Sequence, residues 1–337
     1  EPVEPFVWRD GERVVHFGRG VFAQAHTHVG SAPYAVITTE RARGLAPLLM
    51  EGAHTAHLVG PGRVDELAAE LRPRIAASTL VALGGGRVID VAKALAAADP
   101  PRVVVAIPTT LSGAEMTAIH RHATSTPDGA PTVRPAVVIN DPAVAASQPE
   151  APMLASAMNA LGHCAEAPLT VHANPMATMV ADRAVVHIEE GVRELDRDHL
   201  ALGALLGGYV IGLSGYGVHH VLSQTLVRYK GIEHSTANAA MLPYTAEWLA
   251  RFHPRRREML AAALDALEWQ TEAVDDLPDA LELLTRVPPA LLLEQVEEPC
   301  VLQDAAAQLV APLLAGERPV RVLDLCAAPG GKATHLA

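Results

Sequence analysis

Thr79-Leu80-Val81-Ala82-Leu83-Gly84-Gly85-Gly86-Arg87-Val88-Ile89-Asp90-Val91-Ala92-Lys93 decides the fold. Its first five residues form a continuous apolar run of strand length, and three glycines then make a turn. From Val88 the spacing changes, and Val88, Ala92, Leu95 and Ala96 share one face of a helix reaching Ala98. A strand apolar on both faces belongs in a parallel sheet covered by helices on both sides. Glycines at its end let the backbone approach a pyrophosphate, and the helix start supplies unpaired N–H groups and a positive dipole end. The plain alternative for three glycines is a tight turn and nothing more.

Working outward, further candidate strands are Arg13–Phe17, Tyr34–Thr38, Thr55–Val59, Val103–Ile107 and Ala136–Ile139, with a helical pattern at Val64–Leu71. Strand and helix in alternation predict an α/β domain with a mostly parallel, Rossmann-like sheet over residues 1–148. Such sheets bind ligands at the carboxyl ends of their strands. Val103–Ile107 ends in a second polar loop, Pro108-Thr109-Thr110-Leu111-Ser112-Gly113-Ala114-Glu115-Met116-Thr117. Two such loops on one sheet outweigh the tight-turn reading. From about residue 150 the pattern turns to Ala/Leu/Met-rich helices: one starting at Asn174-Pro175, then runs at 200–212, 217–228, 236–251 and 256–268. An all-α domain over 149–298 is expected, with a crevice between the two halves.

Polar chemistry in the helical half concentrates in Met158-Asn159-Ala160-Leu161-Gly162-His163-Cys164-Ala165-Glu166, with His220 and His234 farther on. Asn159 and His163 are four apart on one helix face, and His220 and His234 are separated by a turn at Lys230-Gly231-Ile232-Glu233. Three imidazoles and an amide oxygen suit a divalent metal, or direct polarisation of a substrate carbonyl. Glu166 reads as a group behind these residues or on the helix surface. Of the 16 histidines, His26, His28, His54, His120, His122, His199 and His253 read as ordinary surface residues.

The 337 residues carry 26 Lys plus Arg against 38 Asp plus Glu, a net charge of -12 that disfavours nucleic acid as a partner. Cys164, Cys300 and Cys326 are too scattered for a disulfide framework or a cysteine zinc site. No apolar run reaches membrane-span length, and Glu1-Pro2-Val3-Glu4 is acidic where a signal peptide is basic, so a cytoplasmic protein is expected.

The glycine stretch resembles the GGGSxxDxxK signature of iron-containing alcohol dehydrogenases, and Pro108–Thr117 is similar to the PTTxxGSEMT loop of a branch of that family, the maleylacetate reductases. Phe17-Gly18-Arg19-Gly20, Met158–Glu166, Asn174-Pro175, His219-His220 and His234 follow in the expected order, so the resemblance spans roughly 13–250. It implies the dehydroquinate synthase-like architecture, a homodimer, NAD(P)H as cofactor and a small carbonyl or enone substrate. On this resemblance Gly85, Gly86, Asp90, Thr109 and Thr110 lie at the cofactor, with Lys93 and Thr117 from the same two motifs. Thr39 falls where NAD-specific relatives place an acid that reads the ribose, so NADP is not excluded. Arg87, replacing the signature's Ser, either meets an NADP phosphate or lies on the surface. Metal-dependent members use an Asp and three His; here Asn159 takes the Asp position beside His163, His220 and His234, which lowers affinity for Fe2+ or Zn2+. The same three histidines, or an ion they hold, would stabilise a developing oxyanion. Gln224 stands where relatives have another His, which leaves water or His219 as the proton source. The expected activity is therefore maleylacetate reductase-like, the alternative being a metal-dependent alcohol or aldehyde dehydrogenase.

A separate resemblance covers 299–337. Val320-Arg321-Val322-Leu323-Asp324-Leu325-Cys326-Ala327-Ala328-Pro329-Gly330-Gly331-Lys332 is similar to the first S-adenosylmethionine motif of rRNA cytosine-5 methyltransferases. The sequence stops five residues later, so methyltransfer is not expected, and an RNA-associated role through this tail is the third alternative.

Overall fold

The structure is a computed structural model that describes residues 2–252, apart from 125, 128 and 231–233. The helix predicted at 256–268, the Lys230–Glu233 turn beyond Lys230, His253 and the methyltransferase-like tail lie outside the described residues.

A hairpin opens the chain, β1 (Phe6–Asp10) and β2 (Arg13–Phe17), turning through Gly11 at φ 62°. There follow α1 (Ala25–Val29), β3 (Tyr34–Thr38), α2 (Glu40–Arg43), α3 (Pro47–Glu51), β4 (Thr55–Leu58) and α4 (Val64–Leu71). Next come β5 (Thr79–Gly84), α5 (Gly86–Ala98), β6 (Val103–Pro108), β7 (Val137–Asn140) and α6 (Pro142–Ala145). Every strand expected from the sequence is present, four of them with bounds that differ by one residue. The sequence pattern gave no sign of β1, a sheet edge that faces solvent on alternate residues. It is held by tertiary contacts, with Phe6 stacked on Phe17 at 5.0 Å and Trp8 edge-on to Tyr209 at 5.0 Å. α1, α2 and α3 are too short to show a periodicity.

The seven strands run in the order β1-β2-β7-β6-β5-β3-β4, all parallel except the β1–β2 pair. β3 lies between β4 and β5, so the winding reverses at β3 and its carboxyl end, beside that of β5, is a topological switch point. In register, Thr38 faces Leu83, and Gly84 faces Pro108. That pairing puts the glycine turn beside the hydroxyl loop, and the Thr109 N–H closes the link by donating to Gly84 O at 3.0 Å. β3 and β5 are buried on both faces. One face packs on α4 and α5 through Ala35, Leu80 and Ala82, the other on α1 to α3 through Val36, Val81 and Leu83.

The helical half comprises α7 (Glu150–Glu166), α8 (Pro175–Glu194), α9 (Arg197–Ser214), α10 (Val218–Lys230) and α11 (His234–Phe252). α8 begins as its sequence predicts: Asn174 Oδ1 accepts from the Ala177 N–H at 2.9 Å, and Pro175 occupies the first turn. α7 is buried almost continuously from Met153 to Glu166, and α8, α9 and α11 pack around it. No single helix among the described residues is long and apolar enough to cross a membrane. The two halves meet where Gly113, at φ 69°, lies against Gly208 of α9; a Cβ on Gly113 would stand 2.7 Å from the Gly208 Cα. Only glycine permits that approach, which seats the hydroxyl loop directly on the helical half.

Candidate active site

At the switch point, α5 starts on Gly85 with no side-chain cap, so its first N–H groups are turned outward at the end of β5. Thr110 and Ser112 back the glycines. A Cβ on Gly85 would lie 2.7 Å from Thr110 Cγ2, and one on Gly86 would lie 3.1 Å from Ser112 Oγ. An uncapped helix start at a switch point, bare of side chains, is chemically fitted to the diphosphate of a dinucleotide.

The other residues expected at the cofactor fall into different places. Arg87 is exposed on the first turn of α5. Asp90 is half-buried and paired with Lys93 at 2.7 Å. Lys93 is wholly buried, its ammonium donating to Ala114 O at 3.0 Å, Ile119 O at 2.8 Å and Thr117 O and Oγ1 at 3.3 Å. Lys93 and Thr117 thus brace the hydroxyl loop from beneath. Thr39 Oγ1 caps α2 by accepting from the Ala42 N–H at 3.2 Å. Thr109 is buried, its carbonyl and hydroxyl oxygens receiving Arg41 Nη2 at 3.0 and 2.9 Å.

In the helical half, α7 and α10 bring Asn159, His163 and His220 together. The His163 and His220 rings stack at 4.6 Å, and both direct Nε2 at the Asn159 amide, His163 to Nδ2 and His220 to Oδ1, each at 3.4 Å. Glu166, one turn beyond His163, takes the other side of His220: the Nδ1–H donates to Oε1 at 2.7 Å and the backbone N–H to Oε2 at 3.2 Å. With Nδ1 protonated toward Glu166, His220 Nε2 presents a lone pair to Asn159 Oδ1, itself an acceptor. His163 Nδ1 is buried with no hydrogen-bond partner among the described residues. Two facing acceptors beside a second imidazole are a donor set that a divalent cation satisfies, and the carboxylate behind His220 is the usual orienting partner of such a ligand.

Burial dominates the electrostatics. It holds His163 and His220 well below the usual imidazole range, reinforced at His163 by His220, His234 and His219 and at His220 by His234. Both are neutral near pH 7. Burial also pushes the Glu166 carboxyl up to about 7, against the pull of His219 and three backbone N–H groups.

His234 stands farther out, at the exposed start of α11. Its ring is 6.5 Å from that of His220, and its Nε2 is 3.2 Å from Asn238 Nδ2. His219 is turned differently. Its Nδ1 meets Thr245 Oγ1 at 2.8 Å and its Nε2 lies against Gly162, where a Cβ would be only 2.4 Å away. Burial lowers it to about 3.

Two residues were missed. Tyr216 stacks on His220 at 4.9 Å, opposite His163, so His220 is clamped between two rings. Its signal was an aromatic flanked by Gly215 and Gly217 in a chain only 4% aromatic. Asn238 has the same four-residue spacing from His234 that drew attention to Asn159 and His163. The surface reading of His199 is overturned: it is buried between α8 and α9 against His187, because its helix is apolar on nearly all sides.

A mostly parallel sheet with a bare glycine turn at its switch point, joined to a helical half that buries neutral histidines, is the framework of a nicotinamide-dependent oxidoreductase. A model of the Fe-containing alcohol dehydrogenase family, C-terminal, matches residues 153–297. The maleylacetate reductase of Rhizobium sp. (strain MTP-10005) is 31% identical over 283 residues, covering 77% of this chain and 80% of that one. Among solved structures, maleylacetate reductase from Agrobacterium tumefaciens superposes with a TM-score of 0.68 at 26% identity, covering 85% of this chain and 93% of that one. Iron-containing alcohol dehydrogenase from Corynebacterium glutamicum gives 0.70 at 25%, covering 87% and 89%. The chain belongs to the iron-containing alcohol dehydrogenase family. It is an NAD(P)H-dependent oxidoreductase, and membership implies Fe2+ as the family's metal. The family match ends at 297, short of the methyltransferase-like tail, and nothing supports that second resemblance.

Proposed function

We propose that this chain reduces maleylacetate to 3-oxoadipate, transferring hydride from NAD(P)H to the enone carbon and a proton to the carbon next to the ketone. One observation carries the proposal: the Asp of metal-dependent relatives is Asn159, and its amide stands between His163 and His220, with Glu166 fixing His220 from behind. The bound nicotinamide supplies the hydride. Asn159, His163 and His220, with His234 farther out, would hold an Fe2+ or Zn2+ ion, which would supply Lewis acidity.

The protein's own share is positioning and charge stabilisation. Asn159 Nδ2 donates to the oxygen on which negative charge develops, among buried side chains where such a bond is strong. Tyr216 and His163 hold the His220 ring by stacking on both faces, and Glu166 sets its tautomer. Gly85, Gly86 and the α5 N-terminus take the diphosphate. Arg87, exposed at that helix start, remains available for an NADP phosphate, while Asp90, Lys93, Thr109 and Thr117 hold the two loops in register. Water supplies the proton. His219 is tied to Thr245 and, lowered to about 3, carries no proton to give near neutral pH, and Gln224 cannot relay one. A cytoplasmic homodimer completes this reading.

The alternative, a metal-dependent alcohol or aldehyde dehydrogenase, draws on the facing acceptors His220 Nε2 and Asn159 Oδ1, which suit an ion. Following nicotinamide absorbance with maleylacetate and a panel of small aldehydes, with and without Fe2+ or Zn2+, separates the two. Turnover of maleylacetate after chelation supports the proposal; turnover of aldehydes alone, abolished by chelator, rejects it in favour of the dehydrogenase.

A further inference from the structure

A second cluster of ligand atoms lies on α8 and α9, on different side chains from those around Asn159. The two helices form a hairpin that closes at Leu195, which has φ 53° and donates its N–H back toward Gly191 O and Val192 O. Glycines let them come very close. A Cβ on Gly191 would stand 2.7 Å from Leu200 Cγ, and one on Gly203 would stand 2.6 Å from Ile188 Cγ1. This approach brings His187 Nδ1 and His199 Nδ1 to 3.1 Å, both rings buried. Glu190, one turn beyond His187 on the same face, places Oε2 2.8 Å from His199 Nδ1. Among the described residues this is the group of His, Cys, Asp or Glu side chains whose ligand atoms all lie within 4.8 Å of one another.

Protons do not settle the arrangement well. A neutral imidazole Nδ1 carries either one hydrogen or one lone pair. If His199 Nδ1 is protonated, its single hydrogen is shared between Glu190 and the lone pair of His187. If it is not, its lone pair faces a carboxylate oxygen at 2.8 Å. Arg183, one turn before His187 on the same helix, adds a positive charge near these atoms. One divalent cation takes all three lone pairs together. Around a tetrahedral ion with bonds of about 2.0–2.1 Å the ligand atoms are roughly 3.3 Å apart, so the observed 3.1 and 2.8 Å need only a small opening. The Glu190 carboxylate offsets the charge of the nearby Arg183. Its side chain is 43% exposed, which provides an entry path and room for a water as fourth ligand.

We propose that His187, Glu190 and His199 form a Zn2+ site that staples the α8–α9 hairpin, distinct from the site of Asn159, His163, His220 and His234. Two imidazoles and one carboxylate with an open fourth position are a recognised zinc donor set. The hairpin presents it ready-made, since its turn and glycine contacts are formed by protein alone.

The test uses the full chain, stripped with a chelator and titrated with Zn2+ while stoichiometry and melting temperature are followed. Co2+ is titrated in parallel, because a tetrahedral site gives it visible absorption. The parent chain is compared with Glu190→Gln, whose half-exposed side chain makes folding secure, and with His187→Asn. Expected are one fewer equivalent of tightly held zinc in His187→Asn and at least about tenfold weaker binding at that equivalent in Glu190→Gln, the scale of loss seen even for outer-shell partners. The zinc-dependent rise in melting temperature shrinks in both. Equal stoichiometry, affinity and thermal shift in the parent and Glu190→Gln, or a parent chain that retains no zinc, would overturn the proposal and leave the reductase reading untouched.

Discussion

Glu166 Oε1 accepts from His220 Nδ1–H at 2.7 Å, and each side chain is only 1% exposed. The same carboxylate receives the backbone N–H of His220, so one group fixes both the ring and the main chain that carries it. Gln at 166 keeps the shape but loses the charge and one strong acceptor, and its amide permits His220 the other tautomer. Glu166→Gln is expected to lower kcat by roughly 10- to 100-fold with little change in the KM for NAD(P)H. A fall in cofactor affinity with kcat preserved would show that Glu166 serves the fold and not His220.

Much of this was legible beforehand because strands and helices carry their periods in sequence. β5, the glycine turn and α5 read directly, since continuous apolarity followed by a 3.6-residue period has one physical interpretation in an α/β chain. Lys93 and Asn159 mark the boundary of such reading. Both are polar residues in helices at motif positions, yet Lys93 is consumed by four protein acceptors on and just after the hydroxyl loop and Asn159 faces two imidazoles. Helical spacing gives a face and says nothing of what packs there. His187 and His199 were illegible for a related reason: they meet across a hairpin whose closeness depends on Gly191 and Gly203, glycines unremarkable in sequence.

Asn159→Asp restores the carboxylate of metal-dependent relatives. A full negative charge where Oδ1 now faces His220 Nε2 attracts a divalent ion that a neutral amide leaves undercompensated. Fe2+ or Zn2+ affinity at this site is expected to rise at least about tenfold, worth about 1.4 kcal/mol, and activity to become chelator-sensitive. Isothermal titration of the stripped protein checks it; unchanged affinity would mean that these side chains do not converge on an ion.

Gly162→Ala probes the packing behind the histidines. Alanine is favoured over glycine inside a helix by about 1 kcal/mol, but this Cβ would stand 2.4 Å from His219 Nε2, and that ring is held by Thr245. Overpacking a tight core costs about 1–3 kcal/mol, so the clash outweighs the propensity gain. The melting temperature is expected to fall by several degrees, with activity reduced because His220 follows His219 in α10. A stabilised, fully active variant would show that His219 has room to move.

Glu115 gives a pH dependence whose sign is fixed by burial. It is 1% exposed within the hydroxyl loop, Asn140 Nδ2 donates to its Oε1 at 3.2 Å, and burial raises it from 4.5 to about 7 despite Lys93 and Arg13 nearby. Between those two values the folded chain binds a proton that the unfolded chain has released, so this carboxyl's contribution is complete below pH 4.5 and is lost as pH rises to about 7. The full span is roughly 3 kcal/mol by the unit conversion, an upper scale for a group with cations close by. Glu115→Gln keeps the neutral shape and cannot ionise. Urea unfolding at pH 5 and pH 8 is therefore expected to show the variant gaining about 1–3 kcal/mol on the parent between the two, with the gain at the alkaline end. An equal difference at both pH values would show that Glu115 is already ionised, and paired, in the folded chain.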